Sequence, residues 1–260
     1  MKVKLLKGSS PVLVSFPHSH LGLPSNLQKQ FTDQGRAVPD ADPQLPEFFD
    51  FVNAMGCSVI AANFSRYLMD VDAPRTIDIL NPGPFDSATC PLSTLVGNKP
   101  IYEPGYEPDQ FEVGRRIAYY WEPFHDDLKD ELIRIKHDHG FAILVTIKPF
   151  LATTESEGLH IVLSTKAGPL CDAQLINEVS KATPLNSIWR WTTKTAANLG
   201  FLTTSVGNAQ HGIHAWEIAF NPAADHHQED LEETKAVFRQ MIQSCLVWSP
   251  SDGRNIDELC

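Results

Sequence analysis

At 260 residues, 42% hydrophobic and 20% charged, the chain can bury one sizeable core and has no compositional bias toward disorder. A formal net charge of −11 argues against nucleic acid or an anionic membrane surface as a partner, because either would repel it. The scattered Cys57, Cys90, Cys171, Cys245 and Cys260 form no C-x-x-C pair. They read as the reduced thiols of a cytosolic protein, or of a periplasmic one with some thiols buried. Met1–Lys7 has no apolar run of signal length and nothing later reaches transmembrane length, so the expectation is one cytoplasmic domain over residues 1–260.

The apolar run Val12–Phe16 has the length and β-branching of a buried strand, and Pro17, with no N–H for a ladder, takes the chain out of the sheet. His18 and His20 follow at once. Ligands of an open α/β sheet sit outside the carboxyl ends of its strands, so two histidines there signal metal or acid–base chemistry. Leu21–Asp42 has a loop composition and ends on two carboxylates, Asp40 and Asp42. Pro46–Met55 reads as a helix stopped at Gly56, and Cys57–Ala62 as a second buried strand. That strand runs into Asn63–Arg75, where Arg66, Asp70, Asp72 and Arg75 crowd one segment. A structural Arg66–Asp70 ion pair is as good a reading there as a functional one.

Asn81–Pro108, rich in proline and glycine, reads as an irregular excursion able to cover a cleft. Asp109 opens a helical pattern that Pro123 interrupts and Asp126–Gly140 resumes, with His137 and His139 suited to its last turn. Phe141–Ile147 is a third buried strand and Leu159–Ser164 a short one. Asp172 caps a helix to about Ala182, and Trp189–Thr195 is a candidate strand. Gly200–Ser205 and Ile213–Phe220 read as an antiparallel pair, and Glu229–Val247 as a closing amphipathic helix before a frayed tail, Ser249–Cys260. This alternation predicts an α/β fold: a single-domain three-layer α/β/α sandwich around a mixed, mostly parallel twisted sheet.

Several of these pieces, in this order, resemble the N-formylglutamate amidohydrolases, zinc hydrolases of the phosphorylase/hydrolase-like fold shared with zinc carboxypeptidases. Pro17-His18-Ser19-His20 resembles the family's Pro-His-Ser-Gly after its opening strand, and Asp40-Ala41-Asp42 its Asp-x-Asp loop. Ser65-Arg66-Tyr67-Leu68-Met69-Asp70-Val71-Asp72-Ala73-Pro74 resembles Ser-Arg-Tyr-x-x-Asp-x-Asn-Arg-Pro. Arg116-Ile117 and Tyr120-Trp121-Glu122-Pro123-Phe124-His125 resemble its Arg-Ile and Tyr-Trp-x-Pro-Tyr-His elements. Gly212-Ile213-His214-Ala215-Trp216-Glu217 resembles Gly-Val-His-Ala-Leu-Gln.

There are also departures. Thr146-Ile147-Lys148-Pro149 stands where the family has Asp-x-His-Ser with a metal-ligand histidine, and a protonated lysine cannot replace an imidazole on zinc. His160-Ile161-Val162-Leu163-Ser164-Thr165 stands for Pro-Asp-Phe-Asn-x-Gly-Thr. Thr203-Thr204-Ser205-Val206-Gly207 replaces Thr-Arg-x-Tyr-Gly, without the arginine that would clamp a carboxylate. The family's later glutamate falls at Ala219, with Glu217 on the same side of the strand two residues before it.

The resemblance implies zinc as cofactor and hydrolysis of the amide C–N bond of a small N-acyl or N-formyl amino acid by a metal-activated water. His18 would be a metal ligand, Asp42 or Asp40 a second, and His20, His125 or His160 a third. Glu217 would be the acid–base group with Lys148 beside it, Arg66 would position an anionic group, and Asp70, His125 and His214 would line the pocket. Structural roles stand beside these: a carbonyl-bonded helix residue for His125, a loop or strand-end residue for His160 and a core residue for His214. Two alternatives remain open. One is a relocated metal site of His18, His20 and His160. The other is a metal-free pseudoenzyme that binds a small anionic or amide ligand or a partner protein, with Lys148 lending positive charge opposite Asp40, Asp42 and Asp70. The balance leans to a divergent amidohydrolase.

Overall fold

The protein is described from a computed structural model that places residues 2–77, 88–95, 97–149, 161–166, 168–182, 191–195, 199–220 and 228–250. Seven strands form one sheet: β1 (Val3–Leu6), β2 (Val12–Phe16), β3 (Ser58–Ala62), β4 (Ala142–Pro149), β5 (Ile161–Thr165), β6 (Trp191–Thr195) and β7 (Ile213–Phe220). Their order is β1-β3-β2-β4-β7-β5-β6. β3, β2, β4 and β7 run parallel, as do β5 and β6, while β1 lies antiparallel to β3 and β5 antiparallel to β7. The sheet is mixed and mostly parallel, as expected.

The helices are α1 (Asp33–Ala37), α2 (Leu45–Phe48), α3 (Phe51–Ala54), α4 (Gln110–Arg116), α5 (Glu122–His139), α6 (Ala173–Ser180), α7 (Phe201–Val206) and α8 (Gln228–Val247). They cover both faces, because successive residues of the central strands point to opposite sides. Val12, Val14 and Phe16 pack with Phe49 and Val52 of the α2–α3 region, Leu175 of α6 and Phe238 of α8. Leu13 packs on the other side with Val113 of α4 and Phe124, Leu128 and Ile135 of α5. Among the described residues no helix is long and apolar enough to cross a membrane.

The structure corrects several expected elements. Residues 200–205 are not a strand beside β7 but the helix α7, and β7 pairs with β4 and β5. The local β-branched threonines lose to tertiary bonding: the Leu202 N–H donates to the Asp72 carboxylate at 2.8 Å, across 130 residues of chain. The helix expected over Pro46–Met55 is two short ones that break around Phe49 and Asp50. Pro123 does not interrupt its helix: a π-helical stretch, Ile117–Trp121, precedes it, and its wider turn lets the chain pass into α5. β1 was not expected, being four residues with an exposed lysine on an edge strand. In the excursion, Ile101 and Tyr102 are buried and tied to Leu92, Thr32 and Phe31, so this end of it is part of the core. Residues 81–87 and 96, Leu159, His160 and Trp189, and the tail from Ser251 lie outside the described residues.

Candidate functional site at the strand ends

Parallel strands finish together, so the loops leaving β2, β3, β4 and β7 meet at one edge. There His18, just past β2, places Nε2 at 2.8 Å from Asp70 Oδ1, on the segment after β3. The Arg66 guanidinium donates to Asp70 Oδ2 at 2.6 Å and to the Asp40 carbonyl at 3.4 Å, and the Asp72 N–H donates to Asp70 Oδ1. All four side chains are buried. The Asp40–Asp42 loop closes on them, with the Asp42 N–H donating to the His18 carbonyl. Asp40 Oδ2 accepts from the Tyr67 hydroxyl and the Leu95 N–H, and Asp42 Oδ1 accepts from the Gln44 N–H.

Beside this lies a second charged group. Lys148 on β4 places Nζ at 3.0 Å from Asp72 Oδ2 and 3.2 Å from Glu217 Oε1 on β7, with only 15% of the lysine side chain exposed. Burial acts against the ammonium, but Asp72 and Glu217 outweigh it and lift the Lys148 pKa above the ordinary lysine value. The remaining carboxylate oxygens are also held. Asp72 Oδ1 takes the Leu202 N–H, and Glu217 Oε2 takes the Gly200 N–H at 3.0 Å and the Thr203 hydroxyl at 3.1 Å.

One row further into the sheet, Ser15, Thr146 and Glu217 are register partners on adjacent strands, and the pleat turns them to one face. The Ser15 and Thr146 hydroxyls, Arg66 Nε and Asp40 Oδ1 are buried without a hydrogen-bond partner among the described residues. Buried polar atoms are nearly always answered, so these four, on segments that meet at this edge, are the candidates to hold a polar occupant.

Of the other expected site residues, His125, His20 and His214 are described. His125 donates from Nε2 to the Val71 carbonyl at 2.9 Å and stacks on Trp121 at 3.6 Å. Burial, opposed by that carbonyl, pushes its pKa down to about 4, so it is a neutral clamp on the Asp70–Asp72 segment. His20 is half-buried, accepts from the Gly22 N–H and has its pKa lowered by burial. His214 is not brought to this edge: it lies near the start of β7, where Nδ1 accepts from the Asp172 N–H and the ring meets Trp248 and Phe141. Its alternation puts it on the face opposite Glu217. His160 lies outside the described residues. A groove of about 490 Å³ lined by Leu27, Arg115, Arg116 and Tyr119 contains none of His18, Asp70, Lys148 or Glu217.

Zinc needs three convergent protein donors and, for catalysis, an open position. Here His18 Nε2 is on Asp70, both oxygens of Asp72 and of Glu217 are engaged, and an ammonium lies between those carboxylates. Among the described residues no three His, Cys, Asp or Glu side chains form a metal-holding group. The described residues at this edge do not fit a zinc ion.

The sequence model of one family, N-formylglutamate amidohydrolase, matches residues 10–224. The chain belongs to the N-formylglutamate amidohydrolase family. Two curated relatives named N-formylglutamate deformylase, hydrolases by that name, cover nearly the whole chain. The one from Pseudomonas aeruginosa is 27% identical over 260 residues, 93% of this chain and 95% of its own. The one from Pseudomonas putida is 28% identical over 262 residues, 93% and 94% of the two chains. The fold is shared with the solved N-formylglutamate amidohydrolase of Ralstonia eutropha JMP134, at a TM-score of 0.77, 15% identity and 94% and 97% coverage. A gene product of Agrobacterium tumefaciens has a TM-score of 0.72, 16% identity and 94% coverage of each chain.

In this family member the residues that sequence reasoning left out of the site are Asp72, Gly200 and Thr203. Asp72 had a signal in the crowding of charges over Arg66–Arg75. Gly200 had none, because its requirement is steric and long-range: a Cβ there would lie 2.2 Å from Asp72 Oδ2. Gly200→Ala should therefore displace the Asp72 carboxylate and cost about 1–3 kcal/mol, as overpacking does. Urea unfolding of the variant checks this, and an unchanged midpoint would show that the carboxylate can move aside freely.

Proposed function

We propose that this chain is a ligand-binding member of the amidohydrolase family, taking a small acidic amide such as an N-acyl amino acid at the strand-end edge without a resident zinc. The observation that carries the reading is the set of unanswered buried groups there: the Ser15 and Thr146 hydroxyls, Arg66 Nε and Asp40 Oδ1. Arg66 Nε and the hydroxyls can donate to a carboxylate or an amide carbonyl, and Asp40 Oδ1 can accept from an amide N–H. The reading of Glu217 as an acid–base group has less support, since neither of its oxygens is free for a water. The reading of Arg66 as a simple clamp is narrowed to its Nε, because both terminal nitrogens are already bonded.

Hydrolysis of such an amide is the second reading, favoured by 27% and 28% identity to two deformylases over 93% of the chain. Calorimetric titration with N-formyl-L-glutamate and related N-acyl amino acids, together with a formate-release assay, separates the two. Saturable binding with no formate above the buffer control supports the first. Formate release at a turnover of the order of 1 per second or faster would replace it with the second. No heat across the whole panel would remove the ligand class.

A further inference from the structure

We propose that Lys148 is a built-in replacement for a bound cation: its ammonium, seated between Asp72 and Glu217, balances charge where the family's metal would, so that this edge is assembled without one. By the motif resemblance, Lys148 stands where a ligand histidine is expected, Asp72 where an asparagine is expected, and Glu217 where a glutamine is expected. Taken singly along the sequence, these are unrelated departures on three distant segments. The fold brings the three side chains into one contact, with Nζ at 3.0 and 3.2 Å from the two carboxylates.

The charges explain why the three go together. A lysine alone between two neutral amides would be an unpaired buried cation, and two carboxylates alone would face each other as unpaired buried anions. Together they leave one negative charge in excess, and the Gly200 and Leu202 N–H groups and the Thr203 hydroxyl are directed at it. The packing is tight as well: the 2.2 Å approach of a Gly200 Cβ to Asp72 Oδ2 shows that α7 is closed down on the ion group. This inference goes beyond the ligand-binding reading and stands even where no ligand binds.

The test follows the cation and not the ligand. Wild-type protein incubated with zinc and then dialysed against metal-free buffer should retain less than about one zinc per ten chains, and 1 mM zinc should leave its thermal midpoint unchanged. Lys148→Ala exposes the carboxylate pair, so zinc or ethylammonium should raise the midpoint of this variant by about 5 °C or more. The neutral set Lys148→Met with Asp72→Asn and Glu217→Gln should fold and lose that response. If Lys148→Ala is recovered unfolded, its refolding yield with and without zinc gives the same reading. Near-stoichiometric zinc on the wild type would overturn the proposal. So would a Lys148→Ala variant that neither cation stabilises, or whose refolding neither improves.

Discussion

Lys148→Met should lower the unfolding free energy by about 3–5 kcal/mol at pH 7, the cost of leaving a buried charge group without its partner. Methionine keeps most of the stem volume, so the loss reports the ammonium and not a cavity. The removed group contacts Asp72 at 3.0 Å and Glu217 at 3.2 Å in a place where only 15% of the lysine side chain reaches solvent. Screening therefore leaves most of the effect intact. The pH dependence has a definite sign. The folded-state pKa of Lys148 is raised. The stabilisation it brings is thus complete at every pH below the unfolded value of about 10.4, and is lost only as pH rises through the folded value. Urea titrations from pH 6 to 9 should show a wild-type contribution that does not fade. Adding Asp72→Asn and Glu217→Gln to Lys148→Met should recover at least half of the loss. A single variant as stable as wild type would mean that the carboxylates are answered by α7 alone.

The frame of the fold was legible because burial writes directly into sequence. Val12–Phe16, Ser58–Ala62 and Ala142–Pro149 are near-continuous apolar runs, as strands covered on both faces must be. Gly140 stops α5 in the left-handed conformation, at φ +80°, and Asp172 caps α6 through a bond to the Gln174 N–H. Local signals failed where distant partners decide. Gly200–Ser205 has strand-like threonines, and it is helical because Asp72 and Glu217 take the N–H groups at its start. Short β1 has too little sequence to signal against its charges, and its place comes from pairing with β3.

The site was legible in the same uneven way. His18, Arg66, Asp70, Lys148 and Glu217 do meet at one edge, which the strand-end rule places there from sequence. The way they pair could not be read, because pairing depends on which carboxylate faces which cation. Lys148 was expected opposite Asp40, Asp42 and Asp70. Asp70 is instead taken by Arg66 and His18, Asp40 by Tyr67 and the Leu95 N–H, and Lys148 meets Asp72 and Glu217. His214 is set apart by strand geometry: one strand carries it and Glu217, but three positions of pleat put them on opposite faces.

Arg66→Met should be the second costly change, again by about 3–5 kcal/mol, because Asp70 is 1% exposed and would lose the Arg66 guanidinium that donates to it at 2.6 Å. The consequences would spread further than one pair. Asp70 also orders His18 through Nε2 and the Asp72 backbone through its N–H, and the Arg66 fork fixes the Asp40 loop through its carbonyl. Lysine at position 66 should recover little, since a single ammonium cannot span a carboxylate and a carbonyl in the way a planar fork does. The decisive comparison is the double variant Arg66→Met with Asp70→Asn. An amide at 70 carries no charge to strand, so the double variant should be more stable than Arg66→Met alone by about 1 kcal/mol or more. Equal stability of the two would mean that His18 and the Asp72 N–H already satisfy the carboxylate. Arg66 would then serve the ligand through its free Nε more than the fold through Asp70.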